Sequence, residues 1–562
     1  MKIKKYIIRN IIYLILILAA FLRIYNLSTI PPHLTSDEAA LGYNAYSILR
    51  TGKDEYGEVL PIIFKSFGDY KPGFYVYLTV PFVATLGLNE LAVRLPSALS
   101  GVIAVWLIFL IAKKLFKEKD KKLIATIAAF FLAISPWHIH FSRGAWEINL
   151  SLTLTLAGIY FLLRSFEKSK FIMLSSVFFS LTLITYQGAK LSTLIVLVVM
   201  VVFYKDKIFN LLRKQKLNIA ISVILGIIII SPSIFSFTRG ETGRLAIFSV
   251  FSYPRKSYDI NNFLDQGNEL VGGLSYYLHH SESLNFGRVI MEKWFNHFSG
   301  RFLFFEGDWP NPRHSAPNMG MLLISDLLFL IIGMFSLLKY KRRVALLILF
   351  WLVLAPLPSV LTRDQVHAVR AYNMVIPLVL ISSLGFLRVL EFIGDRKKSI
   401  VRTGYCLGLL LVVFASLIYY FEAYYVHLPK HSSKLWSYGY KQIVETVTPV
   451  QQNYEKVKIQ QSFAQPYIYF LFYQKYDPVK YQEQAVLTDI NFRGDVGYVE
   501  KLDNIYFWPI NWPDDKKEPH TLVIADEIRI PEEDFSSEEN LTLIEEINYL
   551  DGNRAFRVVE VD

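Results

Sequence analysis

Apolar stretches close to the length of a membrane span alternate with short basic segments through the first three quarters of the chain. Because roughly 20 apolar residues cross the hydrocarbon core of a bilayer, this pattern predicts about eleven transmembrane helices. The predicted spans cover residues 7–24, 94–112, 123–136, 147–163, 171–186, 188–204, 217–236, 318–338, 344–361, 369–388 and 402–421. The sequence therefore predicts a polytopic α-helical membrane protein.

The pattern changes after residue 421. Runs such as "HTLVIADEI" (520–528) and "AFRVVEV" (555–561) have the composition of β-strands, whereas "PYIYFLFYQKY" (466–476) is typical of a helix or a buried segment. We therefore expect residues 1–421 to form a membrane domain and residues 422–562 to form a small soluble α/β domain.

Composition agrees with this class of protein. The chain has 562 residues, of which 53% are hydrophobic, and its mean hydropathy of +0.33 is too high for an ordinary soluble protein of this size. The single cysteine, Cys406, lies inside an apolar span, so no intrachain disulfide can form.

Positive charge is distributed unevenly along the chain. Residues 422–562 contain 14 Lys and Arg against 24 Asp and Glu, which leaves 45 against 24 for the rest of the chain. The densest basic runs lie between predicted spans, as the positive-inside rule requires of cytoplasmic loops. This orientation puts loops 26–93 and 237–317 and the C-terminal domain outside the cytoplasmic membrane. The net charge of +11 is thereby explained without a nucleic-acid partner.

Two segments near the N-terminus affect this topology. The basic start "MKIKKYIIRN" and the apolar run after it indicate a retained signal anchor. The apolar stretch 73–88 is short for a span, and a crossing there would turn every later basic loop outside. We expect it to be an interfacial helix on the outer face, with a tilted true span as the alternative.

A carboxylate pair, Asp37-Glu38, follows the first span. Carboxylates beside a bilayer are costly unless they face water or a partner, so the pair predicts a functional site. An acidic helix cap in a solvated loop is the alternative.

The predicted topology places further polar clusters on the same outer face. Snorkelling at the end of a span is the alternative for any single arginine among them. The clusters contain Asp69 and Lys71; His138, His140, Arg143 and Glu147; Asp308, Arg313 and His314; and Arg363, Asp364, His367 and Arg370.

These residue types suit sugar transfer from a lipid phosphate, which needs a base for the acceptor hydroxyl and cations for the departing phosphate. Asp37 is the candidate base. Lys71, Arg143 and Arg370 are the candidate phosphate ligands. Glu38 is the second candidate catalytic residue, and together with Glu147 it is expected to orient the acceptor or to hold Arg143. The expected acceptor-orienting or supporting residues are Glu147, His138, Asp308, His314 and His367.

No dedicated metal site is predicted, and no cofactor is firmly implied. His138 and His140 lack the i, i+4 spacing of a helical histidine pair. A divalent ion held by Asp37, Glu147 and a histidine remains the alternative.

Several motifs, in their order along residues 1–390, resemble the GT-C superfamily of polyprenyl-phosphate-dependent glycosyltransferases. Asp37-Glu38 is similar to the Asp-Glu pair in the first outer loop of protein O-mannosyltransferases, whose aspartate is taken as the acceptor-activating base. "YKPG" resembles the Glu-Lys-Pro-Pro motif of lipid A aminoarabinose transferases, keeping Lys71 and Pro72 but having Tyr70 and Gly73 at the other two positions. "ELAVRLPSALSG" (90–101) and "SRGAWEIN" (142–149) look like two further family motifs, the second with Glu147 where aspartate is common.

The resemblance implies an inverting glycosyltransferase that moves a monosaccharide from a polyprenyl-phosphate donor to a protein, lipid or cell-envelope acceptor. A glycan polymerase or ligase with lipid-diphosphate donors is one alternative. A lipid-glycan transporter is another, although transporters typically have internal repeats and midplane charges, neither of which we find in the sequence.

Overall fold

The computed structural model describes residues 2–116, 121–240, 248–396, 398–462, 464–484, 487–488 and 497–562. Helices dominate the chain up to residue 422. They are α1 (Lys2–Ile24), α2 (Ser36–Thr51), α3 (Phe74–Leu86), α4 (Glu90–Leu115), α5 (Lys121–Ile134), α6 (Pro136–Arg143), α7 (Glu147–Ser165), α8 (Phe171–Leu183), α9 (Ala189–Lys214), α10 (Lys216–Thr238), α11 (Ser257–Gly267), α12 (Glu282–Asn296), α13 (Ile324–Leu338), α14 (Arg342–Leu354), α15 (Leu357–Val360), α16 (Val375–Gly394) and α17 (Ser399–Glu422). A hairpin of β1 (Ile63–Ser66) and β2 (Asp69–Pro72) precedes α3.

Every predicted span overlaps at least one helix, but not every helix is long enough to cross a bilayer alone. Within the described ranges, six helices meet the length and composition of a span, or seven if α5 and α6, bent by 55° at their junction, form one. Four shorter apolar helices lie at Asn10–Ile24, Phe74–Leu86, Phe171–Leu183 and Ile324–Leu338. The number of eleven spans and the interfacial placement of α3 therefore remain predictions.

Two of the long helices expose most of their apolar side chains. Only 17% of the apolar window in Lys216–Ser236 and 11% of that in Ser399–His431 is buried. Leu410, Leu411 and Phe414 of α17 are each more than 60% exposed. Apolar surface of this extent on long helices is the surface that a membrane protein presents to lipid.

Other helices pack at close range through glycine. A Cβ added at Gly333 of α13 would lie 2.0 Å from the carbonyl oxygen of Ile381, and one at Gly385 of α16 would lie 1.9 Å from that of Phe329. Small residues at a crossing let two helix backbones approach this closely. The contact of α13 with α16 therefore depends on both glycines.

Beyond residue 422 the chain forms a sheet flanked by short helices. The helices are α18 (Leu428–His431), α19 (Tyr440–Val450), α20 (Pro466–Tyr473), α21 (Pro478–Gln484), α22 (Trp512–Asp515) and α23 (Asp534–Ser537). The strands are β3 (Lys456–Gln460), β4 (Leu487–Thr488), β5 (Tyr498–Val499), β6 (Lys501–Leu502), β7 (Ile505–Trp508), β8 (Thr521–Ala525), β9 (Leu541–Asn548) and β10 (Arg554–Val561).

Six of these strands form one mixed sheet in the order β6-β7-β3-β8-β10-β9, and β4 pairs with β5 separately. β3 runs parallel to β7 and β8, with Ile459 opposite Ile524, whereas β10 is antiparallel to β8 and β9. All five residues of β8 are buried, as expected of a central strand covered on both faces. The predicted strand-containing C-terminal region is thus present.

This region packs directly on the first helices. The Phe472 ring would be 2.5 Å from a Cβ added at Gly42 of α2, and the Tyr43 hydroxyl donates to the carbonyl oxygen of Tyr476 at 3.2 Å. Lys441 pairs with Glu90, at the start of α4, at 2.9 Å. The domain division after residue 421 remains a prediction, because residues of both regions share one apolar cluster.

Candidate functional site

A cavity of about 1060 Å³ lies between the start of α2, strand β2, the start of α7 and the loops before α13 and α16. Most of the residues that the sequence indicated reach its wall. These are Asp37, Lys71, Glu147, His314, His367 and Arg370. Four others, Glu38, His138, Arg143 and Asp308, are buried behind the wall.

Asp37 lies in the first turn of α2. Thr35 caps this helix, and its side chain accepts a hydrogen bond from the backbone N–H of Glu38. The cap fixes where the helix begins, so the Asp37 carboxylate is held at the positive end of the helix dipole. Its side chain is 53% exposed and faces the cavity.

Lys71 approaches Asp37 from the β1–β2 hairpin. Phe67 and Gly68 form its two-residue turn with φ of 53° and 78°, the left-handed geometry that suits a tight hairpin. Lys71 Nζ lies 2.5 Å from Asp37 Oδ1 and 5.3 Å from the centre of the Phe67 ring. Burial alone would lower the pKa of Lys71, but Asp37 and, more weakly, Glu147 and Asp69 outweigh it and raise this pKa. Lys71 is therefore a cation at physiological pH.

Glu38 points away from the cavity, although it is next to Asp37 in the chain. Its Oε1 accepts from Arg94 Nε at 3.0 Å and from the Ala145 backbone N–H at 2.8 Å, and its Oε2 completes the cap by accepting from the Thr35 N–H. Arg94, fully buried, also donates to the carbonyl oxygens of Pro31 and His33. This network ties together the loop before α2, the start of α4 and the loop after α6. The alternative of an acidic helix cap therefore applies to Glu38, and the role that we propose for this residue is to position Asp37.

Arg143 and His138 have similar internal roles. The Arg143 guanidinium is fully buried and donates to the carbonyl oxygens of Leu22 and Ile30, both at 2.9 Å. The Nδ1 atom of His138 lies 2.6 Å from Arg23, which is also buried. Arg143 therefore lies behind the cavity wall rather than in it, and its contact with phosphate stays a prediction. We propose that it holds the loop after α1.

The wall opposite the start of α2 carries two arginines. Arg370 donates to Thr362 Oγ1 at 2.8 Å and to Asp364 Oδ2 at 2.9 Å. Arg313, which was recognised in the sequence only as part of a cluster, lies over the Trp146 ring at 5.5 Å and also lines the cavity. Its position beside His314 in "NPRH" is the local signal that could have singled it out.

A group of one aspartate and two histidines lies beside these arginines. Asp308 Oδ2 is 2.7 Å from His314 Nδ1, and it also accepts from the Ala368 backbone N–H at 2.7 Å. One potential ligand atom from each of Asp308, His314 and His367 lies within 4.8 Å of the other two. Burial lowers the pKa of both histidines, with Asp308 opposing the effect at His314 and Arg370 adding to it at His367. Both rings are therefore neutral at physiological pH. This set differs from the combination of Asp37, Glu147 and a histidine considered from the sequence.

The C-terminal region contributes to the same wall through Leu435 and Gln465. No pattern in the sequence predicted this, because these residues are separated from Asp37 by about 400 positions. The cavity thus combines early, middle and late parts of the chain.

Comparisons with known proteins agree with this architecture. Residues 71–235, which include Lys71 and Glu147, match the family described as dolichyl-phosphate-mannose-protein mannosyltransferase. A putative mannosyltransferase, YkcB of Bacillus subtilis (strain 168), is 28% identical over 172 residues, which are 30% of this chain and 22% of that protein. The chain thus aligns with about a fifth of that relative.

Two proteins of known structure share the fold. ArnT from Cupriavidus metallidurans, in the apo state and bound to undecaprenyl phosphate, aligns with a TM-score of 0.53 at 12% identity over 97% of both chains. The archaeal oligosaccharyltransferase AglB from Archaeoglobus fulgidus, in complex with an inhibitory peptide and a dolichol-phosphate, aligns with a TM-score of 0.50 at 14% identity, covering 84% of this chain and 64% of that one. The predicted fold class is thereby confirmed: the chain is mostly helical, with several apolar helices and a small C-terminal sheet region, and it shares the fold of these two proteins.

Proposed function

We propose that the cavity is the active site of a glycosyltransferase that moves a monosaccharide from a polyprenyl-phosphate donor to a hydroxyl acceptor. The observation that carries the proposal is the ion pair of Asp37 and Lys71 on a cavity wall that faces Arg370 and Arg313. A carboxylate within reach of several cations provides the base and the phosphate ligands that this reaction needs.

The donor class is supported by charge and by the neighbours. Lys71, Arg313 and Arg370 all line the cavity and supply positive charge for a phosphate. Arginine forks suit bidentate contact with phosphate oxygens, and the lysine acts as a compact point charge. The ArnT and AglB structures named above hold undecaprenyl phosphate and dolichol-phosphate, respectively, which favours a polyprenyl phosphate in this chain.

The chemistry follows from an exchange of partners at Lys71. Donor binding shifts the Lys71 ammonium from Asp37 towards the phosphate, so the Asp37 carboxylate becomes the acceptor for a hydroxyl proton. The acceptor oxygen then attacks the anomeric carbon from the face opposite the phosphate. The bond from the anomeric carbon to the phosphate oxygen breaks, and polyprenyl phosphate leaves with the electron pair. The product sugar therefore has inverted configuration.

Position in the membrane completes the proposal. The basic loops of the sequence favour an active site on the outer face of the cytoplasmic membrane, together with the C-terminal domain. The acceptor belongs to one of three classes: a protein, a lipid or a cell-envelope glycan. Membrane lipid surrounds the donor site in each case.

The direct test uses the purified full-length protein in lipid nanodiscs with a panel of polyprenyl-phosphate monosaccharides. Release of polyprenyl phosphate is measured by mass spectrometry, with and without membrane extract as the source of acceptor. We expect acceptor-dependent release from one or a few donors. The proposal would be contradicted if every donor in the panel stayed intact although the protein showed a cooperative thermal unfolding transition. Mass spectrometry of surface glycans and membrane lipids from a strain lacking the protein then identifies the acceptor.

A further inference from the structure

We propose that Asp308, His314 and His367 form a binding site in the cavity wall for one divalent transition-metal ion such as Zn²⁺. The three side chains come from two loops that are far apart in the chain, yet one ligand atom of each lies within 4.8 Å of the others. Asp308 pairs with His314, whereas Asp37 and Lys71 pair with each other, so this site stands or falls independently of the glycosyl transfer proposed above.

The donor set has the right chemistry. Two imidazole nitrogens and one carboxylate oxygen are ligands that zinc accepts at about 2.0–2.2 Å. A tetrahedral ion with such bonds needs ligand atoms roughly 3.3 Å apart, so the group must contract by about 1.5 Å or less. Asp308 Oδ2 and His314 Nδ1 are 2.7 Å apart, closer than this spacing, so these two atoms would separate slightly while His367 moves towards them.

A second observation points to a ligand at His367. Its Nδ1 atom is buried and has no hydrogen-bond partner among the described residues. Its Nε2 atom is 4.0 Å from Asp364, beyond the range of a hydrogen bond. An orphaned polar atom of this kind in a folded protein usually marks a missing water or ion.

The surroundings hold the ligands in place. Asp308 accepts hydrogen bonds from the backbone N–H of Ala368 and from Asn311 Nδ2, at 2.7 Å and 3.1 Å. Such outer contacts fix the orientation of a coordinating carboxylate. The Ala368 contact also brings the loop that carries His367 against the loop that carries His314.

One coordination position is left for the cavity. His314 and His367 both line it, whereas Asp308 lies behind them. Catalytic zinc sites typically have three protein ligands and a fourth position that is open to water or substrate. In this protein the open position faces the same space as Arg313 and Arg370, so the ion would add to the positive charge available for an anionic oxygen.

Metal content is the first test. The full-length protein is purified with a cleavable tag other than polyhistidine, treated with chelator, reloaded with Zn²⁺ or Co²⁺ and passed through a desalting column before elemental analysis. We expect about one ion per chain in the wild-type protein, and at least a several-fold lower content in Asp308→Asn, His314→Ala and His367→Ala. His279→Ala is the matched control, because His279 is exposed in an outer segment and does not line the cavity.

Spectroscopy and stability separate a built site from adventitious binding. The Co²⁺ form should absorb in the visible range with the intensity typical of tetrahedral coordination, and Zn²⁺ should raise the unfolding temperature of the wild-type protein but not of Asp308→Asn, which keeps the shape of the side chain. Wild-type metal content in His314→Ala, or equal losses in His314→Ala and His279→Ala, would overturn the proposal. So would the absence of both bound metal and a Zn²⁺-dependent shift in a folded wild-type protein.

Discussion

Asp37 and Glu38 have opposite surroundings. The Asp37 side chain is 53% exposed in the cavity, whereas that of Glu38 is 5% exposed and paired with Arg94. Consecutive residues of a helix point about 100° apart, so one of the two can face the cavity while the other faces the protein interior. Single substitutions at these neighbours should therefore have different effects.

Asp37→Asn should lower turnover by ~10² or more with little effect on folding, because the amide keeps the shape of the carboxylate but cannot take the acceptor proton. Turnover is measured as polyprenyl-phosphate release, and folding as the unfolding temperature. Asp259→Asn is the matched control, because Asp259 is exposed on α11 and outside the cavity lining. Wild-type turnover in Asp37→Asn would exclude Asp37 as the base.

Glu38→Gln should mainly destabilise the fold, by about 3–5 kcal/mol if the Arg94 charge is left buried without a counter-ion. The measurement is the unfolding temperature in detergent, compared with that of Asp37→Asn. A variant that unfolds like the wild type but has lost all turnover would instead give Glu38 a direct part in the reaction.

Lys71→Ala should raise the KM for the donor more than that for the acceptor, since a charge-assisted contact with phosphate is lost. Donor is titrated at fixed acceptor, and acceptor at fixed donor. Lys65→Ala provides the control, because Lys65 lies on the same hairpin but not in the cavity lining. An unchanged donor KM would mean that Lys71 only neutralises Asp37.

The types of side chain in the sequence identified many of the cavity residues. They did not show which members of a polar run reach the cavity and which are buried elsewhere. Arg143 and Glu147 are four residues apart in one polar run, yet only Glu147 reaches the cavity. The backbone leaves helical geometry between α6 and α7, so the two side chains do not share a helix face. Asp308 and His367 are brought together by tertiary packing across 59 positions, which no local pattern reports.

At the scale of elements, apolar length predicted the long helices well, and it missed the β1–β2 hairpin. The sequence predicted a helix over residues 73–88 but no strand before it, whereas the structure has Lys71 in β2, with α3 starting at Phe74. The two strands have four residues each, too few for a clear alternating pattern. The hairpin matters because it is what places Lys71 against Asp37.

The close crossing of α13 and α16 can be tested with one methyl group. Gly385→Ala should lower the unfolding temperature, because its Cβ would lie 1.9 Å from the carbonyl oxygen of Phe329 and must push the helices apart. Overpacking of this kind typically destabilises a protein by about 1–3 kcal/mol. Gly408→Ala in α17 has open space around it and should be neutral or slightly stabilising. Equal unfolding temperatures for the two variants would contradict the tight crossing.

For the whole molecule, the predicted orientation rests on the basic loops and can be tested without any substrate. In a Cys406→Ser background, single cysteines at Ser283, Ser399 and Ser537 are all at exposed positions. A membrane-impermeant maleimide added to intact cells should label the first and the third but not Ser399→Cys, which lies in the basic run before α17.

The opposite labelling pattern has a specific meaning. Reaction at Ser399→Cys but not at Ser537→Cys would show that α3 crosses the bilayer and reverses every later segment. Full permeabilisation of the cells should allow all three positions to react, which controls for buried or unreactive thiols.

Leu435 and Gln465 contribute to the cavity wall, which affects the order in which the site forms during synthesis. A ribosome makes Asp37 and Lys71 early and Gln465 late, so the pocket stays incomplete for most of translation. During membrane insertion the nascent chain therefore carries its reactive groups without a finished chamber around them. Under the proposed function, a donor lipid met at that stage would keep its sugar, and the site would be complete only when the segment around Gln465 folds onto the N-terminal segments.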